Sequence, residues 1–432
     1  MKTPRMVIVD GVRTPFCRAG SDLAGLAADE LGRIAVNALL TRTGIDPSCI
    51  DEVIFGCVCQ PFDAANIARV IALRAGIPES VPAITVHRNC ASGCEALTQA
   101  AEKAAAGRGE IFLVGGTESM SQVPLLFPQS AAAKFTALAK ARSALQKVKA
   151  LAAFRPADFK PRVGLMLGLT DPVCGLNMGE TAELLARELG LTRARQDAFA
   201  IESHKRALAA RAKMAAEICP VFTSTKANAS APSALTADNG PRTDQTPETL
   251  ARLKPVFDKR NGTVTAANSS QITDGAVALL VMTETKAAEL GLHPLGVLTG
   301  YAYAGCDPSR MGLGPVFAMS KAHDATGLGP ADADLIEINE AFAAQVLACL
   351  ECARSEKFAR KVLGRPAALG EIPLEKLNVN GGAIALGHPV GATGARLVLT
   401  TLLELKRRSA HRALVSLCVG GGQGAALWLE AL

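Results

Sequence analysis

Aromatic residues are scarce in this chain: one Trp, two Tyr and 14 Phe make up 4% of its 432 residues. A peptide- or sugar-binding module would carry more rings. A nucleic-acid surface would interleave rings with a dense basic face, and a net charge of +6, from 46 Lys and Arg against 40 Asp and Glu, provides none. Nucleic acid is therefore not an expected partner. Long apolar runs are lacking as well. Stretches such as AVALLVM (276–282) fall far short of the roughly 20 residues that span a bilayer. No secretory leader is visible, since MKTPRMVIVDG runs straight into a strand. The 12 cysteines then read as free thiols in a reducing compartment, and the expected location is cytoplasmic. Cys57-Val-Cys59 has no matching Cys/His pair nearby, so it reads as two strand residues and no metal is expected. Neither a Walker pattern nor G-x-G-x-x-G after a strand is present, which argues against a bound nucleotide cofactor.

What the chain does have is Ala, Gly and alternating periodicity. It is 49% apolar, and at this length two or three subdomains are expected. Strand-like runs RMVIVDG, DEVIFGCV, AITVHRN and IFLVGG alternate with helical stretches, which predicts a mostly parallel sheet with helix-covered faces. After a long middle region the pattern returns. PLGVLTGYAYAG and DLIEIN read as strands, 316–325 and AFAAQVLACLECAR as helices, then 391–407 as a helix before the strand RALVSLCVGGG. Ala91-Ser92-Gly93 echoes Ala392-Thr393-Gly394 at a helix start, and IFLVGG echoes VSLCVGG behind it. Two homologous halves meeting around one site are expected.

The middle, about 120–250, breaks the alternation. It holds two amphipathic helices (TAELLARELG and RARQDAFAIESHKRALAARAKMA) and a polar segment from Thr223 to Thr249. Such an insertion commonly carries ligand contacts. Its stretch 131–163 has eight Lys or Arg against one acidic residue, Asp158. Leu138, Ala141, Leu145, Val148 and Ala152 recur there at helical spacing, which predicts one basic amphipathic helix able to dock on something acidic: a membrane surface, a partner subunit or the phosphates of an arriving substrate.

Three short motifs bear reactive side chains. In HRNCASGCEAL (87–97), Cys90 stands where a strand hands over to a helix, a place whose N–H groups favour thiolate. In NGGAIALGHPVGATGAR (380–396), His388 sits between Gly387 and Pro389 in a turn that lets backbone approach a ligand. In CVGGGQG (418–424), Cys418 ends a buried strand before glycines whose N–H groups can face a developing oxyanion. Asn339 in NEAFA ends a strand where a helix starts, so it is expected to cap that helix or orient a water.

These motifs, in this order, resemble the thiolase family over essentially the whole chain, from VDGVRTPF (9–16) to CVGGGQGAA (418–426). The resemblance implies a duplicated α/β fold: two βαβαβαββ halves packed as α-β-α-β-α layers. The first domain would run from 1 to 290 with a loop domain inserted at about 120–250, and the second from 291 to 432. It also implies roles. Cys90 would be the nucleophile that carries the acyl group, His388 the base that takes its proton, and Cys418 the acid and base for the α-carbon. Asn339, through a water, and His388 would form one oxyanion hole; the N–H groups of Cys90 and Gly420 would form the other. Met178, Met311 and Phe342 match acyl-pocket positions, and Arg242 and Ser270 match positions expected to touch coenzyme A. Coenzyme A and acyl-CoA would be substrates, with no cofactor, in a homodimer or homotetramer. The stretch 351–382 and the basic insertion resemble the long-chain, trifunctional-complex subgroup, and a multienzyme contact through 131–163 would follow. That subgroup carries histidine where Asn339 stands. A decarboxylating condensing enzyme would pair its cysteine with two histidines, and Cys418 stands where the second would be. The implied reaction converts 3-ketoacyl-CoA and CoA to acyl-CoA and acetyl-CoA in fatty-acid β-oxidation; the biosynthetic alternative makes acetoacetyl-CoA.

Overall fold

The computed structural model describes residues 4–223 and 233–432. Residues 224–232 of the polar segment Thr223–Thr249 lie outside it. In chain order the first half comprises β1 (Met6–Arg13), α1 (Ala28–Thr43), β2 (Glu52–Gly56), α2 (Ile67–Arg74), β3 (Ala83–Val86), α3 (Ser92–Ala105) and β4 (Ile111–Ser119). The insertion carries α4 (Gln129–Lys140), α5 (Ala144–Ala152), α6 (Met178–Glu188) and α7 (Arg193–Met214), and β5 (Thr273–Thr283) closes the half. The single helix expected at 131–163 is thus two, parted where Ala141 leaves the helical conformation beside a local aromatic core of Phe135, Phe154 and Phe159. The second half comprises β6 (Gly296–Gly305), α8 (Gly314–Thr326), β7 (Leu335–Ile338), α9 (Ala343–Ala353), α10 (Val390–Arg408), β8 (Arg412–Val419) and β9 (Gln423–Ala431).

The duplication is visible in the strand order. One path runs β7-β8-β9-β6-β1-β5-β4-β2-β3, with the halves joined where β1 pairs antiparallel to β6. Outward from that seam the first half reads β1-β5-β4-β2-β3 and the second β6-β9-β8-β7. The echoed IFLVGG and VSLCVGG are β4 and β8, which hold equivalent places. The counterpart of β3 is reduced to a single parallel bridge between Ile336 and Leu377.

The sheet is not mostly parallel. Only the outer pairs β2–β3, β2–β4 and β7–β8 are parallel, whereas the centre is antiparallel. The reason lies in the closing strands. β8 returns into β9 through Gly420-Gly421-Gly422, and a turn that short cannot make the crossover that a parallel pair needs.

Period-two alternation sorts side chains between layers. Val277, Leu279 and Val281 of β5 join Leu97 of α3, Leu399 of α10 and Leu417 of β8 in a central core. Ala276, Leu280 and Met282 turn instead to Leu31 of α1 and Ile71 of α2. Leu414 and Trp428 of the second half turn to Val316 of α8 and Val346 of α9. Helices α3 and α10 thus form the middle of five layers. They cross at the echoed glycines: a Cβ on Gly93 would lie 2.6 Å from the Ala395 nitrogen, and one on Gly394 2.5 Å from the Cys94 nitrogen. Glycine is required because a methyl group at either position meets backbone, which cannot step aside.

Candidate active site

Cys90 lies between β3 and α3, two residues before the helix begins. Asn89 adopts a left-handed backbone (φ 43°), a conformation asparagine tolerates better than most residues. The segment is tied to both halves. Asn89 Nδ2 donates to the Gly420 carbonyl at 2.7 Å. Arg88 pairs with Glu95 at 2.6 Å and lies over the Tyr303 ring, 4.1 Å from its centroid. The backbone N–H groups of Gly420 and of Cys90 itself reach the Cys90 sulfur.

Both N–H groups favour the thiolate, yet burial outweighs them and pushes the Cys90 thiol up, with a smaller contribution from the Glu118 carboxylate. The helix start therefore favours the thiolate without producing it at rest. His388 departs the opposite way. It is buried, and burial together with the charge of Arg396 holds its imidazole down at about 4. The resting pair is a neutral thiol and a neutral base. Alkylation of Cys90 by iodoacetamide should therefore keep accelerating from about pH 7 to beyond the ordinary thiol value of ~8.5, because burial holds the folded thiol above it. A rate that levels off below neutrality would instead mean a thiolate–imidazolium pair.

The histidine is held by its neighbours. Gly387, at φ 97°, lets its own Cα pass Thr273, where a Cβ would fall 2.2 Å from the hydroxyl. The His388 N–H then donates to Thr273 Oγ1 at 3.1 Å. Thr393 donates its hydroxyl proton to the Pro389 carbonyl at 2.9 Å, so toward His388 Nδ1, 2.7 Å away, it acts as acceptor. That assigns the proton to Nδ1 and leaves the Nε2 lone pair turned into the site. Asn339 Nδ2 lies 3.4 Å from Nε2. Helix α9 begins only at Ala343, with Phe342 as its N-cap residue, so Asn339 does not cap it. Its side chain is fully buried, and its Oδ1 meets no protein donor among the described residues. Such an oxygen can accept from a water or a ligand.

The loops that carry Asn339 and His388 are locked together by Glu340. Its carboxylate accepts from Ser203 at 2.6 Å, Asn378 at 2.9 Å and the Ile384 N–H at 3.2 Å. Cys418, near the end of β8, is buried, and its thiol is pushed well up, chiefly by burial and then by the neighbouring Cys90. It belongs to one apolar cluster with Met311 and Phe342, against which Met178 packs. Met178 Sδ lies 3.5 Å from where a Cβ on Gly420 would stand. Ser270 donates its N–H to the Ala341 carbonyl at 2.9 Å, beside the same loop. Arg242 is exposed on a neighbouring loop, its N–H held by His204 Nδ1 at 3.1 Å. Cys90, Gly420 and Cys418 are thus brought together, as are His388 and Asn339; Ser270 adjoins the Asn339 loop, and Arg242 stands off at the surface.

Sequence reasoning missed several supports. Thr393 carried a usable signal, since it is the polar residue of the echoed triplet. Glu118 carried none. It is fully buried at the end of β4 and accepts N–H bonds from Val58 (3.1 Å), Cys59 and Gly391 (both 2.8 Å), which staples one half to the helix that follows His388. Cys57 and Cys59 are consequently loop residues, not strand residues, because β2 ends at Gly56 where the chain turns to present those N–H groups. Phe257 was missed as well; it packs edge-on against Phe342 at 6.1 Å.

Known proteins resemble this chain over its whole length. The family described as "Thiolase, N-terminal domain" matches residues 6–285, and "Thiolase, C-terminal domain" matches 292–431. A protein named 3-ketoacyl-CoA thiolase from Pectobacterium atrosepticum is 44% identical over 431 residues, covering 99% of this chain and 96% of the relative. One of the same name from Serratia proteamaculans is 42% identical, with 99% and 97% covered. Among solved structures, an acetyl-CoA acetyltransferase from Bacillus anthracis superposes with a TM-score of 0.86 at 37% identity, covering 100% of this chain and 99% of that one. Human mitochondrial 3-ketoacyl-CoA thiolase superposes at 0.84 and 34%, with complete coverage of both chains. On motif order, duplicated topology and full-length similarity, the chain belongs to the thiolase family.

Proposed function

We propose that the protein catalyses reversible thiolysis, converting a 3-ketoacyl-CoA and CoA to acetyl-CoA and a shortened acyl-CoA. The observation that carries this reading is the convergence at one sulfur of N–H groups from both halves, with Cys418 alongside and His388 carrying an unprotonated Nε2. His388 takes the Cys90 proton, and the sulfur attacks the C3 carbonyl. The C2–C3 bond breaks, Cys418 protonates the departing acetyl-CoA enolate, and the acyl group stays on Cys90 as a thioester. CoA, deprotonated by Cys418, then displaces the acyl group, and His388 returns its proton to the departing Cys90 sulfur. The N–H groups of Cys90 and Gly420 hold one oxyanion; His388 and an Asn339-bound water hold the other. Met178, Met311 and Phe342 line the acyl site, and Ser270 and Arg242 contact coenzyme A. Each step moves protons that these side chains carry, so the reaction needs no cofactor.

The finer parts of this reading are a homodimer or homotetramer in the cytoplasm, working in β-oxidation. Support for self-association is the edge strand β3, whose Ile84 is 39% exposed. An open edge of this kind is a template for pairing with a second copy. Among the described residues no helix is long and apolar enough to cross a membrane. The relatives named 3-ketoacyl-CoA thiolase support degradation, while the Bacillus anthracis neighbour supports a biosynthetic acetoacetyl-CoA reading. Thiolysis assayed on 3-ketoacyl-CoA substrates from four to sixteen carbons separates them. Turnover that extends to the long chains supports degradation, turnover confined to four carbons supports biosynthesis, and none at any length refutes the function.

A further inference from the structure

A second contact joins the two segments that carry Asn339 and His388. Glu337 of β7 stands two residues before Asn339, and side chains at that spacing in extended chain share a side. Arg396 of α10 stands one turn beyond Thr393, whose hydroxyl lies 2.7 Å from His388 Nδ1. Residues three apart on a helix are neighbours. Asn339 thus meets His388 at 3.4 Å, and further along the same two segments Arg396 Nη1 meets the Glu337 carboxylate at 3.4 Å.

The pair is buried, Arg396 being 1% and Glu337 4% exposed. As a clamp it is poor. Its one contact is long, and Arg396 Nε and Nη2 meet no acceptor among the described residues. A buried ion pair repays its desolvation only with good geometry and further hydrogen bonds. Glu340 already locks these loops together, so grip does not account for the pair. Charge does. After burial, the Arg396 cation is what holds the His388 imidazole down. Two more carboxylates face the pair: Glu340 beside Asn339, and Glu217 beyond α7, which is itself taken by Arg13 at 2.7 Å and by the Thr400 hydroxyl at 3.1 Å. Burial holds Glu337 up at about 7, with Arg396 drawing it down and Glu340 and Glu217 raising it.

We propose that Arg396 and Glu337 are positioning residues that decide where the proton shared by Cys90 and His388 rests. Arg396 repels that proton from the imidazole, and ionised Glu337 offsets the cation so that His388 can accept it. This rests on the reading of Cys90 as nucleophile and His388 as its base. The test follows the ring C–H signals of the full-length protein carrying isotope-labelled histidine, by NMR, from about pH 4.5 to about pH 8. His388 is assigned by the signal missing from His388→Asn. In the parent it should stay neutral down to about pH 5. In Arg396→Gln its titration should rise by about one pH unit, as expected when a nearby cation is removed. In Glu337→Gln it should not rise, because Arg396 is left uncompensated. Arg396→Lys keeps the charge and should titrate like the parent. Removing one member of a buried pair can unfold a chain, whereas Arg396→Gln/Glu337→Gln leaves no lone charge. The titration should rise in that double variant too, since the guanidinium is the charge felt at His388. A titration unmoved in both Arg396→Gln and the double variant overturns the proposal, and so does a rise in Arg396→Lys or Glu337→Gln. The signal is read without substrate, so a parent that thiolyses no 3-ketoacyl-CoA refutes the function and leaves this result standing.

Discussion

Cys90→Ala is expected to abolish acyl transfer. Incubation with acetyl-CoA should leave no acetyl adduct by intact mass, and thiolysis should fall by roughly 10⁴-fold or more, as when a nucleophile that works as part of a unit is removed. The neighbouring thiol cannot substitute. Cys94 is fully buried one turn into α3, and burial pushes its thiol up to about 12. Its backbone nitrogen is moreover the point against which Gly394 packs. Cys94→Ala should accordingly keep the adduct on Cys90. An adduct that persists in Cys90→Ala, on Cys94 or on Cys418, would reassign the nucleophile.

Cys418→Ser should separate the two half-reactions. Its thiol is protonated at rest, which suits it to act first as the acid that quenches the enolate and then as the base for incoming CoA. A serine hydroxyl in the same place is a poorer donor and a far poorer base, so thiolysis should slow by about 10²- to 10⁴-fold. Acylation of Cys90 from a simple thioester requires no enolate, and should survive within about tenfold. Equal losses in both half-reactions would mean that Cys418 only shapes the pocket around Cys90.

Much of the fold was legible because its signals are local. β4 and β8 carry the same apolar run before glycines, and α3 and α10 open on the same small-residue triplet, so the duplication shows as an echo. Helices α6 and α7 show by their periodicity. The antiparallel centre was not legible, because strand direction is set by which neighbour β5 and β9 pair with, and period-two burial looks the same in either direction. The break between α4 and α5 was missed for a related reason. Apolar spacing continues across Ala141 although the backbone does not, and the aromatic core that bends the arm joins Phe135 to Phe154 and Phe159, residues far apart in the motif.

By itself the sequence determined which chemical groups are available: a cysteine before a helix, a histidine in a glycine turn, a second cysteine before three glycines, and the family whose motifs these are. Only the tertiary structure decided how they act. The crossing of α3 and α10 sets the helix starts that follow Cys90 and His388 against each other, and Asn89 ties the turn after Cys418 to the Cys90 loop, which no local pattern encodes. Burial then sets their protonation, raising both thiols and lowering the imidazole. Desolvation is a property of everything packed around a group, not of the residues beside it in the chain.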